Sequence, residues 1–140
     1  GRAFPPTAPY LVGREKVREF ARAVFADDPQ HTDPAAARAL GYPDVVAPPT
    51  FAIVVAERTL QQLLAEPDSG IALERTVHGE QRFRWSRPIV AGDELTARLS
   101  VTSVRALGAN AMVTSETELT DAGGAHVVTA TSVLVVGGGE

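Results

Sequence analysis

Phe51-Ala52-Ile53-Val54-Val55-Ala56-Glu57-Arg58-Thr59-Leu60-Gln61-Gln62-Leu63-Leu64-Ala65 is the stretch on which the fold turns. Its opening residues, Phe51 to Ala56, are apolar on every side of a helix, and Glu57, Arg58, Gln61 and Gln62 make the later turns amphipathic. The β-branched residues Ile53, Val54 and Val55 also suit a strand, but the length of the run through Leu63-Leu64 and the missing turn signal favour helix. The pattern predicts a long helix over Thr50 to Ala65. A helix apolar all round at its start has to be enclosed by the rest of the chain.

On the N-terminal side, Pro48-Pro49 holds the backbone extended and delivers it into that helix. Further back, Val17, Phe20, Ala21 and Val24 recur at the i, i+3, i+4, i+7 spacing within Arg14 to Val24, with Glu15, Lys16, Arg18, Glu19 and Arg22 opposite. This predicts an amphipathic helix docked by one face. Pro34 opens a short alanine-rich helix through Leu40, and Gly41 is placed to end it in a left-handed conformation. Gly1 to Pro9 reads as an extended lead-in segment.

On the C-terminal side the period changes from Glu74 onward to two. Val77, Phe83, Trp85 and Ile89 alternate with His78, Glu80, Arg82, Arg84 and Ser86, and Leu95, Ala97, Leu99 and Val101 alternate with Thr96, Arg98, Ser100 and Thr102. Turns are expected at Ala91-Gly92-Asp93, Leu107-Gly108-Ala109-Asn110 and Asp121-Ala122-Gly123-Gly124. The second half therefore predicts a four-strand antiparallel meander, each strand with one wet face, ending with Val127 to Val136. A buried helix followed by a long antiparallel sheet is an α+β arrangement whose sheet wraps the helix.

Composition limits what such a domain does. A chain of 140 residues is one ordinary domain, so residues 1–140 are read as a single unit. Thirteen basic against seventeen acidic residues, with no basic stripe, argue against nucleic acid as a partner. The absence of cysteine excludes disulfides, thiolate metal sites and a cysteine nucleophile, and fits a cytoplasmic protein. With no long uncharged apolar run and no signal-peptide pattern, the chain is expected to be soluble, without membrane insertion.

Chemistry concentrates in Phe25-Ala26-Asp27-Asp28-Pro29-Gln30-His31-Thr32-Asp33, behind the first helix. A histidine with carboxylates three to five positions away forms an acid/base pair when a helix end turns both side chains into one cavity. The same residue types also cap and stop helices, so a solvated turn is the alternative. His78, beside Glu80, reads as an exposed cross-strand residue, and His126, after a glycine turn, is assigned no chemistry. No His, Asp and Glu cluster has zinc spacing, no phosphate loop occurs, and Gly137-Gly138-Gly139 reads as a flexible tail, so neither metal nor cofactor is expected.

Four segments together carry a resemblance: Val12-Gly13-Arg14-Glu15-Lys16-Val17-Arg18-Glu19-Phe20-Ala21, Asp28-Pro29-Gln30-His31-Thr32-Asp33, Ala47-Pro48-Pro49-Thr50-Phe51, and Val77-His78-Gly79-Glu80-Gln81-Arg82-Phe83 through Arg87-Pro88-Ile89-Val90-Ala91-Gly92-Asp93. In this order they resemble the MaoC-like hydratase/dehydratase family. More narrowly, they are similar to its short actinobacterial branch, which includes the subunits of the mycolic-acid 3-hydroxyacyl-carrier-protein dehydratase. The resemblance implies a hot-dog fold, a homodimer or a heterodimer with another hot-dog subunit, and addition or removal of water across the 2,3 bond of acyl thioesters of CoA or acyl carrier protein.

The family's loop has the form Asp-x-Asn-Pro-x-His. Mapped here, the Asn-Pro falls on Asp28-Pro29, the catalytic His on His31, and the catalytic Asp on Ala26. Alanine moves no proton, and hydration needs both a base for water and an acid for the α-carbon. Three readings stay open: Asp27 substitutes, the chain is a non-catalytic acyl-binding subunit beside an active one, or the alanine is an engineered knockout of an active enzyme. A hot-dog thioesterase is a further alternative. In that fold helix physics makes Pro49, Thr50 and Phe51 the expected substrate-binding residues, because the free amides of Thr50 and Phe51 at the positive end of the helix polarise the thioester carbonyl. The alternative for the side chains is Thr50 as an N-cap and Phe51 as core.

Overall fold

The computed structural model describes residues 2–67 and 69–138. Gly1 of the lead-in segment and Gly139 of the glycine tail lie outside the described residues. The elements run β1 (Tyr10–Leu11), α1 (Arg14–Ala23), α2 (Pro34–Ala39), α3 (Ala52–Ala65), β2 (Thr76–Trp85), β3 (Glu94–Leu107), β4 (Asn110–Thr120) and β5 (His126–Val136). The five strands form a single antiparallel sheet curled around α3, the hot-dog arrangement.

Packing follows the apolar pattern. Val55 and Phe51 from α3 and its lead-in are 0% exposed, in one core with Val17 of α1, Leu95 and Ala97 of β3, Leu119 of β4 and Val127 and Val128 of β5. Phe20 meets Phe51 edge-on at 5.4 Å between ring centres. A second cluster, around Leu63, Leu99, Val113, Leu134 and Val136, closes the far end of the helix. Enclosure of α3 by this one chain is incomplete, since Ile53 and Val54 stay half-buried.

The meander expectation is corrected. The strand order is β1-β3-β4-β5-β2, so β3, β4 and β5 form a meander while β2 crosses over to lie beside β5. Turn residues fix which strands are joined tightly, but Ala91-Gly92-Asp93 ends a crossover rather than a hairpin. β5, paired on both sides, is buried continuously from Val127 to Ala130, so it has no uniformly wet face. The lead-in segment is also more than a loop: Phe4 and Thr7 donate their amides to the Leu99 and Ala97 carbonyls at 2.9 Å, covering the edge of β3 before β1 pairs with it.

One glycine resets a whole strand face. The β2–β5 register slips between His78, opposite Leu134, and Glu80, opposite Val133. A Cβ on Gly79 would meet Val135 Cγ2 at 3.1 Å, so a bare backbone suits this bulge. The bulge puts His78 on the helix side of the sheet, beside Ile53 and Glu57, and Glu80 on the other side with Arg82. Val77 is thereby left 63% exposed, where simple alternation paired it with Phe83 and Trp85.

Candidate functional site

The histidine loop is built from turns that its own residues stabilise. α1 ends in a Schellman arrangement, with the Ala26 amide on the Ala21 carbonyl at 2.8 Å and the Phe25 amide on that of Arg22 at 3.3 Å. The left-handed position belongs to Phe25, at φ 59°, where glycine is usual. Pro29 then starts a 3-10 turn through His31, and Asp33 caps α2 by accepting the Ala35 amide at 3.0 Å. The loop is tied to the segment before α3: the Val46 amide donates to the Gln30 carbonyl at 2.9 Å, and Val46 bridges to Val90.

His31 is 8% exposed, and its Nδ1 lies 2.6 Å from the Val46 carbonyl oxygen. A carbonyl only accepts, so Nδ1 carries the proton and donates, leaving Nε2 with its lone pair in the neutral ring. Among the described residues the one buried side-chain polar atom without a partner is Gln62 Oε1, so Nε2 is open to the space beside it. That space is a cavity of about 440 Å³ lined by His31, Val46, Ala47, Pro48, Pro49, Trp85, Ser86, Arg87, Pro88 and Ile89.

The cavity wall is braced from both sides. Trp85 Nε1 donates to the Pro49 carbonyl at 3.0 Å, joining the end of β2 to the lead-in of α3. Arg87 donates to Asp93 at 2.8 Å and to Asp121 at 3.3 Å, and the hydrogen bond to Asp93 holds the guanidinium pKa above its ordinary value against the opposing effect of burial. Among the lining residues the ionisable side chains are His31 and Arg87; no carboxylate is among them.

Of the residues singled out in the sequence, His31 and Pro49 come together on this cavity. Asp27 is exposed and Ala26 half-buried, and neither lines it. Thr50 is exposed and off the wall. The expected free amide of Phe51 is corrected: it donates to the Pro48 carbonyl at 2.9 Å, because the chain enters α3 through a 3-10 turn over Pro49–Phe51. The Phe51 ring is core. Trp85, Ser86 and Arg87 were not singled out as site residues. Arg87 opens the Arg87-Pro88-Ile89-Val90-Ala91-Gly92-Asp93 motif and Trp85-Ser86 directly precede it, but only the fold shows that this segment faces the histidine loop.

The family profile described as "FAS1-like, dehydratase domain region" matches residues 1–130. A UPF0336 protein of Leifsonia xyli subsp. xyli is 63% identical over 140 residues, all of this chain and 94% of its relative. The chain is also similar to the HadBC (3R-hydroxyacyl-ACP dehydratase) complex from Mycobacterium tuberculosis, with TM-score 0.85 and 35% identity over 95% of this chain and 92% of the other. A structure described as a MaoC-like dehydratase matches with TM-score 0.90 and 38% identity, covering 99% of this chain and 42% of that longer one. The chain belongs to the FAS1-like dehydratase-domain-region family of MaoC-like hot-dog hydratases and dehydratases.

Proposed function

We propose that this chain is a hot-dog subunit acting on acyl thioesters of CoA or acyl carrier protein, in the interconversion of 2-enoyl and 3-hydroxyacyl forms. The observation that carries the reading is the pinned His31, with Nδ1 on the Val46 carbonyl at 2.6 Å and Nε2 open to a mostly apolar cavity. In hydration Nε2 takes a proton from water as the C3–O bond forms. The π electrons move toward the thioester, and the α-carbon then needs a proton from a second group. The position of the family aspartate is Ala26, which supplies none.

A second reading has its own observation. Because no carboxylate lines the cavity and Asp27 is exposed, the chain suits an acyl-binding role within a hot-dog heteromer whose partner completes the acid/base pair. The outer edge of β2 is unpaired in this sheet, and it is the edge on which a second hot-dog subunit, identical or not, would continue the strands.

Loss of enoyl absorbance from 2-enoyl pantetheine thioesters tests the proposal. Slow hydration by the chain alone, abolished by His31→Ala, fits the first reading. Hydration only after a second hot-dog subunit is added, with acyl-thioester binding by the chain alone, fits the second. Fast turnover that survives His31→Ala but not Asp27→Asn would overturn the assignment and point to a shifted base. Release of thiol from saturated acyl thioesters without hydration would make the protein a thioesterase instead.

A further inference from the structure

Ser86 follows the last residue of β2, and its amide donates to the Val127 carbonyl at 2.7 Å, which fixes its backbone against β5. Its Oγ lies 2.5 Å from Nδ1 of His126, and the other ring nitrogen of His126 lies 2.7 Å from Thr129 Oγ1. Thr129 is 9% exposed. Both nitrogens of this imidazole are therefore engaged by hydroxyls, and the ring is locked between an anchored threonine and a serine on the wall of the His31 cavity. The mechanism proposed above uses none of these residues.

A serine hydroxyl has one proton and two lone pairs, and its bond to the imidazole uses one of them. If Nδ1 accepts, Oγ keeps its lone pairs for a ligand donor. If Nδ1 donates, Oγ keeps its proton for a ligand acceptor. A ligand hydroxyl satisfies either state, since it both donates and accepts, whereas a carbonyl satisfies only the second. His31 Nε2 adds an acceptor to the same cavity, and most of the remaining wall is apolar. The polar complement of such a surface is a hydroxyl carried on an apolar chain.

We propose that Ser86, positioned by His126 and Thr129, is the residue with which this cavity distinguishes a hydroxylated acyl chain from a saturated one. The inference rests on the reading that the cavity takes acyl thioesters, and names the group that sets preference within it.

Calorimetric titration of the full chain with 3-hydroxyhexanoyl and hexanoyl pantetheine thioesters tests it. Wild type is expected to favour the hydroxylated ligand. Ser86→Ala should cut that preference roughly tenfold, the size of one neutral hydrogen bond, with hexanoyl affinity unchanged. Ser86→Thr should restore it. His126→Phe should reduce it in part, and the His126 ring resonances of the wild type should shift with the hydroxylated ligand and not with the saturated one. An unchanged preference in Ser86→Ala, or equal weakening of both ligands, overturns the role given to Ser86. Binding of neither thioester by wild type defeats the acyl-thioester reading itself, and this inference with it.

Discussion

Asp44→Asn is predicted to destabilise the protein in a pH-dependent way and to loosen the support behind His31. The Asp44 carboxylate accepts from Arg14 Nε at 3.0 Å and Nη2 at 2.7 Å, and from the Val45 amide at 2.7 Å. It thereby ties α1 to the segment whose next residue, Val46, holds the histidine. Its hydrogen bonds to Arg14, foremost, and to Val45 lower its pKa from 3.8 to about 2. At about 1.4 kcal/mol per pKa unit that drop corresponds to roughly 2 kcal/mol if unscreened. Arg14 is 45% exposed, so water screens the pair, and about 1 kcal/mol is expected.

The sign follows from the lowered pKa. The folded state binds this proton less readily than the unfolded chain, so the contribution is complete above the ordinary value of 3.8 and is lost as the pH falls toward about 2. Thermal unfolding followed by circular dichroism should place Asp44→Asn roughly 4 °C below wild type at pH 7, with the gap mostly closed at pH 2. A gap of equal size at both pH values, or none at pH 7, would refute the linkage argument.

Val55→Asp should leave no cooperative unfolding transition, because it puts a carboxylate at a position 0% exposed; a native-like melt would show that α3 is not the enclosed helix. Phe25→Gly should raise the melting temperature by a few degrees, since Phe25 sits at φ 59° with its ring 85% exposed and relief is worth about 1 kcal/mol; a lower value would mean that the ring is covered in solution. Light scattering of the isolated chain at micromolar concentration should give a two-chain particle, and a strict monomer would count against pairing through the β2 edge.

Hydrophobic period was enough to read α1 and α3, and α2 was legible from its opening proline, its alanine run and the glycine that follows it. The hairpin strands β3, β4 and β5 were legible for a related reason: tight turns bind neighbours in sequence into neighbours in space. The placement of β2 was not legible, since a crossover leaves no local mark, and neither was the flip at Gly79, where one residue outside the ladder reverses every side chain after it. In the site, His31 stood out by its residue type and its proline turn. The opposite wall, Trp85 to Ile89, lies more than fifty positions away and is brought in by hydrogen bonds such as Ala47 amide to Ile89 carbonyl at 2.8 Å. Ser86 and His126 are forty residues apart and drew no notice as a pair, because their contact exists only once β2 and β5 are side by side.

The most direct test of the account is hydration of a 2-enoyl pantetheine thioester by Ala26→Asp, measured beside wild type and the Ala26→Asp/His31→Ala double variant. If the loop is an acid/base site lacking only its aspartate, turnover should rise by at least two orders of magnitude over wild type, the usual scale of general acid/base catalysis, and fall back when His31 is removed. No gain from the aspartate in a folded protein that binds the thioester would contradict that account of the loop.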